Sequence, residues 1–178
     1  MRILDTVWTC SDDEKKAILL KVKQTAREDE IAITGCARSV LHALQEHLGL
    51  GNDEVLRGLA PFAGGAARTG NLCGALIGGI VGIGLAYAPS TLRGALEIPG
   101  YVQSMDVAGI LYDRFKETFG AVSCKDIQHL MWGRSWNLRD PHEREDYLQP
   151  EFHDRCGDVA GEAAMLAAEI IVANPLNK

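Results

Sequence analysis

A chain of 178 residues, 47% hydrophobic and 24% charged, is long enough for one domain with a sizeable core and is unlike a disordered segment. The net charge of −6, with no cluster of Lys and Arg, excludes the electrostatic footprint of a nucleic-acid binder. Met1 to Glu14 lacks the basic and apolar regions of a secretory signal, which points to a reducing cytoplasm where structural disulfides are uncommon.

Taken in chain order, Ser11-Asp12-Asp13-Glu14 forms a capping box that opens a helix from Asp12 to about Arg27. Its apolar stripe of Ile18, Val22 and Ala26 is weak, so the helix is expected at the periphery or in a dimer contact. A second helix is predicted from Gly35 to Gly49, capped by Thr34, with Ala37, Val40, Leu41, Leu44 and Leu48 on one face and Cys36 on that same side. Asn52 caps a short helix that ends near Leu59, and Pro61 follows.

Gly64 to Gly70 is a glycine-rich turn. Its spacing is that of a phosphate loop, but Asn71 and Leu72 stand where Lys and Ser or Thr are required, so it is not read as a nucleotide site. From Thr69 to Leu92 there are 24 residues without a charge, between Arg68 and Arg93. That length could span a bilayer. A buried central helix over residues 70–88, apolar all round and striped with Gly70, Gly74, Gly78 and Gly82, accounts for the same pattern without a membrane, and no insertion is expected.

Pro89 and Pro99 bracket a loop, and a helix is predicted from Met105 to Phe119, capped by Ser104, with Val107, Ile110, Leu111 and Phe115 as its stripe. Ser123-Cys124-Lys125-Asp126 opens another helix through Met131. Gly133 to Phe152 is charged and aperiodic and is read as a long loop of the kind that covers a site. The last helix starts near Asp154 and carries Cys156, Val159, Ala160, Ala163, Leu166, Ala167 and Ile170 until Asn174-Pro175. With no period-two alternation, the class is all-α: a compact helical bundle around a buried glycine-rich central helix.

Five cysteines are present. Cys10 stands apart, whereas Cys36, Cys73, Cys124 and Cys156 each follow closely on a residue able to cap a helix. A helix N-terminus favours thiolate over thiol, so four such sulfurs suggest one converged site. No Cys-x-x-Cys pair signals a zinc ribbon or a thioredoxin-type dithiol, and the gaps of 37, 51 and 32 residues place each sulfur on a different element. Four soft thiolates suit an iron–sulfur cluster of the two-iron, two-sulfide (2Fe–2S) type, or zinc, although structural zinc usually takes closely paired ligands. Two of the sulfurs cycling between dithiol and disulfide is the cofactor-free alternative, and buried packing is the reading without chemistry.

Gly74 and Gly78 give a neighbouring helix or a cofactor access to the backbone beside Cys73, and Arg68 is read as the partner of an anionic substrate or of the cluster, with a solvated or ion-paired Arg as the alternative. His42, His47 and His129 read as surface residues. His153 is placed at the surface or in a cap, with proton donation to the cysteine region as the alternative. Trp132 and Trp136 shield the sulfurs or simply pack.

Cys36-Ala37-Arg38-Ser39-Val40-Leu41, the run Phe62 to Leu72, Cys73-Gly74-Ala75-Leu76-Ile77-Gly78, and then Cys124 and Cys156 together resemble the C-GCAxxG-C-C family over about residues 30 to 173. The resemblance implies a redox role and a four-cysteine site, and names no substrate. The expected organisation is a single domain over 1–178, with residues 1–30 as an N-terminal helical extension and 31–173 as the redox core. The expected function is electron transfer or a small reductive step at a cluster held by Cys36, Cys73, Cys124 and Cys156. The alternatives are a cluster-free thiol oxidoreductase and a metal-binding accessory protein of a transporter. A redox partner protein or a small-molecule substrate is implied. A second copy of the chain is a further expected partner, because the glycine stripe and the first helix offer apolar surface.

Overall fold

Nine α-helices and one 3-10 turn make up the computed structural model, which describes residues 3–91 and 100–175. In order they are α1 (Ile3–Thr9), α2 (Asp12–Ile33), α3 (Cys36–Leu48), α4 (Asp53–Gly58), the 3-10 turn Ala60–Phe62, α5 (Gly74–Tyr87), α6 (Tyr101–Phe119), α7 (Cys124–Trp132), α8 (Pro141–Tyr147) and α9 (Pro150–Ala173). Among the described residues no strand forms, and the all-α class predicted from the sequence is what the chain adopts. Of the loop expected between Pro89 and Pro99, residues 92–99 lie outside the described residues.

The capping box at Ser11 closes as expected: its hydroxyl accepts from the Glu14 N–H at 3.4 Å, and the Glu14 carboxylate accepts from the Ser11 N–H at 2.8 Å. Helix α2 runs past the expected end at Arg27. It stops only where Thr34, at φ 54°, donates its N–H back to the Glu30 carbonyl at 2.9 Å. Thr34 therefore closes α2 instead of capping α3, and Gly35 takes the cap position. Nor is α2 peripheral. Val22, Ala26 and Glu30 are buried, and its most extensive contact is with α9. Gly157 and Gly161 of α9 allow that approach, since a Cβ on either would run into the Ile31 side chain or the Lys23 carbonyl.

Helix α5 occupies the centre, against α3, α6 and α9. It is only 14 residues long and begins at Gly74; Gly70, at φ 74°, belongs to the preceding turn. Among the described residues no helix is long and apolar enough to cross a membrane. Gly74, Gly78 and Gly82 face α3, and Gly79 faces Leu111 of α6 and Ala167 of α9. The small residues thus bring three helices onto one short rod. Both surfaces the sequence offered to a second copy, this stripe and the α2 face, are used inside the chain.

Helix α6 starts at Tyr101 behind Gly100, and Ser104 lies inside it, its hydroxyl donating to the Tyr101 carbonyl at 2.6 Å. Val107, Leu111 and Phe115 are buried there as expected, whereas Ile110 is exposed. The expected loop over Gly133–Phe152 contains α8, capped by Asp140 and begun by Pro141. Helix α9 starts at Pro150, one turn before the expected Asp154. The core between these helices is filled by Leu44, Leu76, Ile83, Leu111, Phe115 and Ile171, each fully buried and contributing roughly 1.5–3 kcal/mol.

Candidate redox site

Two backbone devices bring the cysteines together. Between the 3-10 turn and α5, five consecutive residues, Gly64 to Arg68, have φ between +51° and +73°, a left-handed turn. For Ala66, Ala67 and Arg68 this costs about 1–2 kcal/mol each. It is held by Ala67 N–H to Pro61 O (2.6 Å) and Asn71 N–H to Gly65 O (3.1 Å), and Gly65 is required because a Cβ there would strike the Asn71 backbone. The chain leaving this turn runs antiparallel to the segment before α7. Cys73 N–H donates to Val122 O at 2.8 Å and Cys124 N–H to Asn71 O at 2.6 Å, around the bridge Leu72–Ser123. The starts of α5 and α7 are thereby laid side by side, with Cys73 capping one and Cys124 opening the other.

Cys36 arrives from the start of α3. A Cβ on Gly74 would overlap Cys36 Sγ and the Phe62 carbonyl, so the glycine after Cys73 is what clears space for the first sulfur. Cys156 comes from α9, at its seventh residue and not at its head. All four of these cysteines line one cavity of about 330 Å³. Arg68, Arg144, Glu30, Leu138 and Tyr147 are also on its wall. Gly78 is not: it lies against the Ala37 carbonyl and Val40, in the α3–α5 contact. Cys10 is elsewhere too, its thiol directed at the Thr6 carbonyl at 3.5 Å.

The expected thiolates are not favoured in this setting. Burial pushes the Cys36 thiol well above its ordinary value, with further upward pressure from Glu30 and the other three sulfurs. Cys73 is pushed up to about 11 by burial, against the opposing pull of the Ala75 and Leu76 N–H groups at the start of α5. Burial, then Cys73, Cys156 and Glu30, raises Cys124. Cys156 is pushed up to about 12 by burial, although the Tyr147 hydroxyl donates to its sulfur at 2.8 Å and lowers it. The helix-terminus effect is present at Cys73, and desolvation outweighs it.

Trp132, Trp136, Tyr147 and Phe152 form an aromatic cluster against which Cys156 packs, with Trp136 and Phe152 centroids 4.9 Å apart. The tryptophans pack and cover the Cys156 side together, as both readings of them allowed.

Glu30, Arg144 and Tyr147 are wall residues that the sequence did not single out. Glu30 carried a signal: it continues the i, i+4 row Ile18, Val22, Ala26, and a carboxylate on a buried stripe needs partners. It has them. Its Oε2 accepts from the Gly35 N–H at 2.8 Å and from the Ser39 hydroxyl at 3.3 Å, while Oε1 lies 3.5 Å from His153 Nε2. His153 is buried, contrary to the surface position expected for it. His42 Nδ1 hydrogen-bonds Asp29 Oδ2 at 2.6 Å, on the half-exposed side of the bundle.

Among the described residues, no group of three or more His, Cys, Asp or Glu side chains is gathered tightly enough to hold a metal ion. No match is found among curated proteins or among solved structures. Residues 34–170, which include all four cavity cysteines, match the family described as C_GCAxxG_C_C, putative redox-active protein. The match covers most of the chain, and the chain belongs to that family.

Proposed function

We propose that this is a redox protein in which Cys36, Cys73, Cys124 and Cys156 hold an iron–sulfur cluster of the 2Fe–2S type. The carrying observation is that four cysteines from four separate elements line a single cavity of about 330 Å³. The donor chemistry fits: all four are soft sulfur ligands, and nothing else on the wall competes as a soft donor. A lone zinc ion requires sulfurs at about 2.3 Å from one centre. Structural zinc usually takes closely paired ligands, whereas these four cysteines come from separate elements.

The raised thiols speak against a nucleophilic cysteine in thiol exchange. A nucleophilic cysteine needs a lowered pKa, whereas these four stay protonated near neutrality until a cation displaces their protons. When bound, such a cluster accepts and returns single electrons. Arg68 and Arg144 on the wall offset the negative charge of ligating thiolates. The aromatic cluster packs against the Cys156 side. A redox partner protein or a small substrate is the source or sink of electrons.

Purification without oxygen, followed by visible spectroscopy and analysis for iron and acid-labile sulfide, tests this. A brown protein with about two irons and two sulfides per chain is expected. A colourless protein without iron or sulfide, whose thiols oxidise in pairs, would overturn it in favour of thiol–disulfide chemistry. Zinc without sulfide would overturn it in favour of a metal-binding module.

A further inference from the structure

Glu30 lies before the residues that match the family, in the last turn of α2, yet it forms part of the cavity wall. Both it and His153 are more than nine-tenths buried, and His153 Nε2 has no hydrogen-bond partner, only Glu30 Oε1 at 3.5 Å. An unpartnered imidazole nitrogen and a carboxylate oxygen facing each other in the interior are expensive unless a proton can pass between them. The other carboxylate oxygen is fixed by the Gly35 N–H and the Ser39 hydroxyl, so Oε1 is the one that faces His153. The carboxylate is thus anchored to α3 immediately beside Cys36, while the imidazole belongs to α9, one turn before Cys156.

We propose that Glu30 and His153 are the proton-exchanging pair of the cysteine cavity, holding between Oε1 and Nε2 one proton for each electron delivered to the sulfur site. The proposal rests on the redox reading given above. The balance is simple. A one-electron reductant, such as a reduced flavin or an electron-transfer protein, loses one electron to the site, and a hydronium ion of the solvent gives up one proton, leaving water, to form an N–H or O–H bond at the pair. No bond to sulfur is made or broken. Charge added to a buried, low-dielectric site is costly, and a proton taken up nearby cancels most of that cost.

The groups around the pair come from every neighbouring element. From α3 these are Cys36 and Ser39, from α8 Tyr147, from the starts of α5 and α7 Cys73 and Cys124, and from α9 Cys156. Tyr147 stacks edge-on to the His153 ring at 5.7 Å, but its hydroxyl is committed to Cys156. Arg68 and Arg144 share the wall with Glu30. The cations of α2 point elsewhere: Arg27 pairs with Asp158 at 2.6 Å and Lys23 with Glu162 at 2.5 Å.

The test is the midpoint potential of the anaerobically purified protein as a function of pH, with dithionite as reductant, in the wild type, Glu30→Gln and His153→Gln. The wild type is expected to show a tenfold change in reduction constant per pH unit, which for one electron is about 59 mV. Both variants should flatten that slope. Gln at position 30 keeps an acceptor for the Gly35 N–H, and His153→Gln leaves the α3 cap untouched, so one of the two reports even if the other fails to fold. An independent readout is the 15N NMR signal of the His153 ring in metal-free protein, which should differ between the wild type and Glu30→Gln because Oε1 is the oxygen that faces Nε2. A protein that contains its cluster but whose variants keep the wild-type slope, or a His153 ring signal unchanged by Glu30→Gln, overturns the pair. Absence of iron and sulfide in the wild type overturns the cluster reading itself.

Discussion

Gly74 and Gly84 share one short helix and answer the same substitution in opposite ways. A methyl group on Gly74 would collide with Cys36 Sγ and the Phe62 carbonyl, whereas one on Gly84 meets nothing. Gly74→Ala is expected to lose about 1–3 kcal/mol through overpacking, and Gly84→Ala to gain about 0.5–1 kcal/mol from helix propensity. Urea denaturation of the two variants checks both signs, and equal effects would mean that the sulfur does not sit over Gly74. At this scale the sequence already nominated the four cysteines that share the cavity, because their order and the Cys-Gly-Ala-x-x-Gly motif are visible in one dimension. Their ionisation was not visible, since desolvation depends on how completely other elements cover them. Glu30 was missed because its stripe was cut short at Arg27, and His153 because a histidine beside Asp154 and Arg155 looks solvated until α2 is seen to cover it.

Helices with strong apolar periods or side-chain caps were legible. Asn52 accepts from the Glu54 and Val55 N–H groups, and Ser123 from the Asp126 N–H, where the sequence placed those caps. The misses have physical reasons. Helix α8 is seven residues long and shows no apolar period, so only Asp140-Pro141, a cap followed by a proline in the first turn, announced it. The same proline signal at Pro150 was passed over, which shortened α9 and placed Cys156 at a helix head it does not occupy. Closest to the chemistry is the pairing of Asn71–Cys73 with Val122–Cys124. It has no period and no motif, yet it sets two of the four sulfurs beside each other. Helix α2 shows the complementary error: its weak stripe suggested a peripheral rod, but Gly157 and Gly161 let it lie against α9 and carry Glu30 into the wall.

For the molecule as a whole, the buried thiols make stability depend on alkaline pH. Cys73 and Cys156 are raised to about 11 and about 12 in the native state from an ordinary value of 9.0. Below pH 9.0 the thiols are protonated in both states, and the stability is fully present. Between there and about 12 the unfolded chain has released protons that the native protein keeps, so the stability of the metal-free protein falls as pH rises. Each such thiol contributes a slope of about 1.4 kcal/mol per pH unit. Urea denaturation across this range should show the decline, with Cys73→Ala losing one thiol's share of it; an identical slope in the variant would mean that Cys73 is not buried as a thiol.

That the four sulfurs act as one site is tested most directly by measuring iron and acid-labile sulfide in five variants purified without oxygen: Cys10→Ser, Cys36→Ser, Cys73→Ser, Cys124→Ser and Cys156→Ser. The account predicts that Cys10→Ser keeps the wild-type content, while each of the other four loses most of it. Full retention in any one of those four, or a loss in Cys10→Ser equal to theirs, would contradict it.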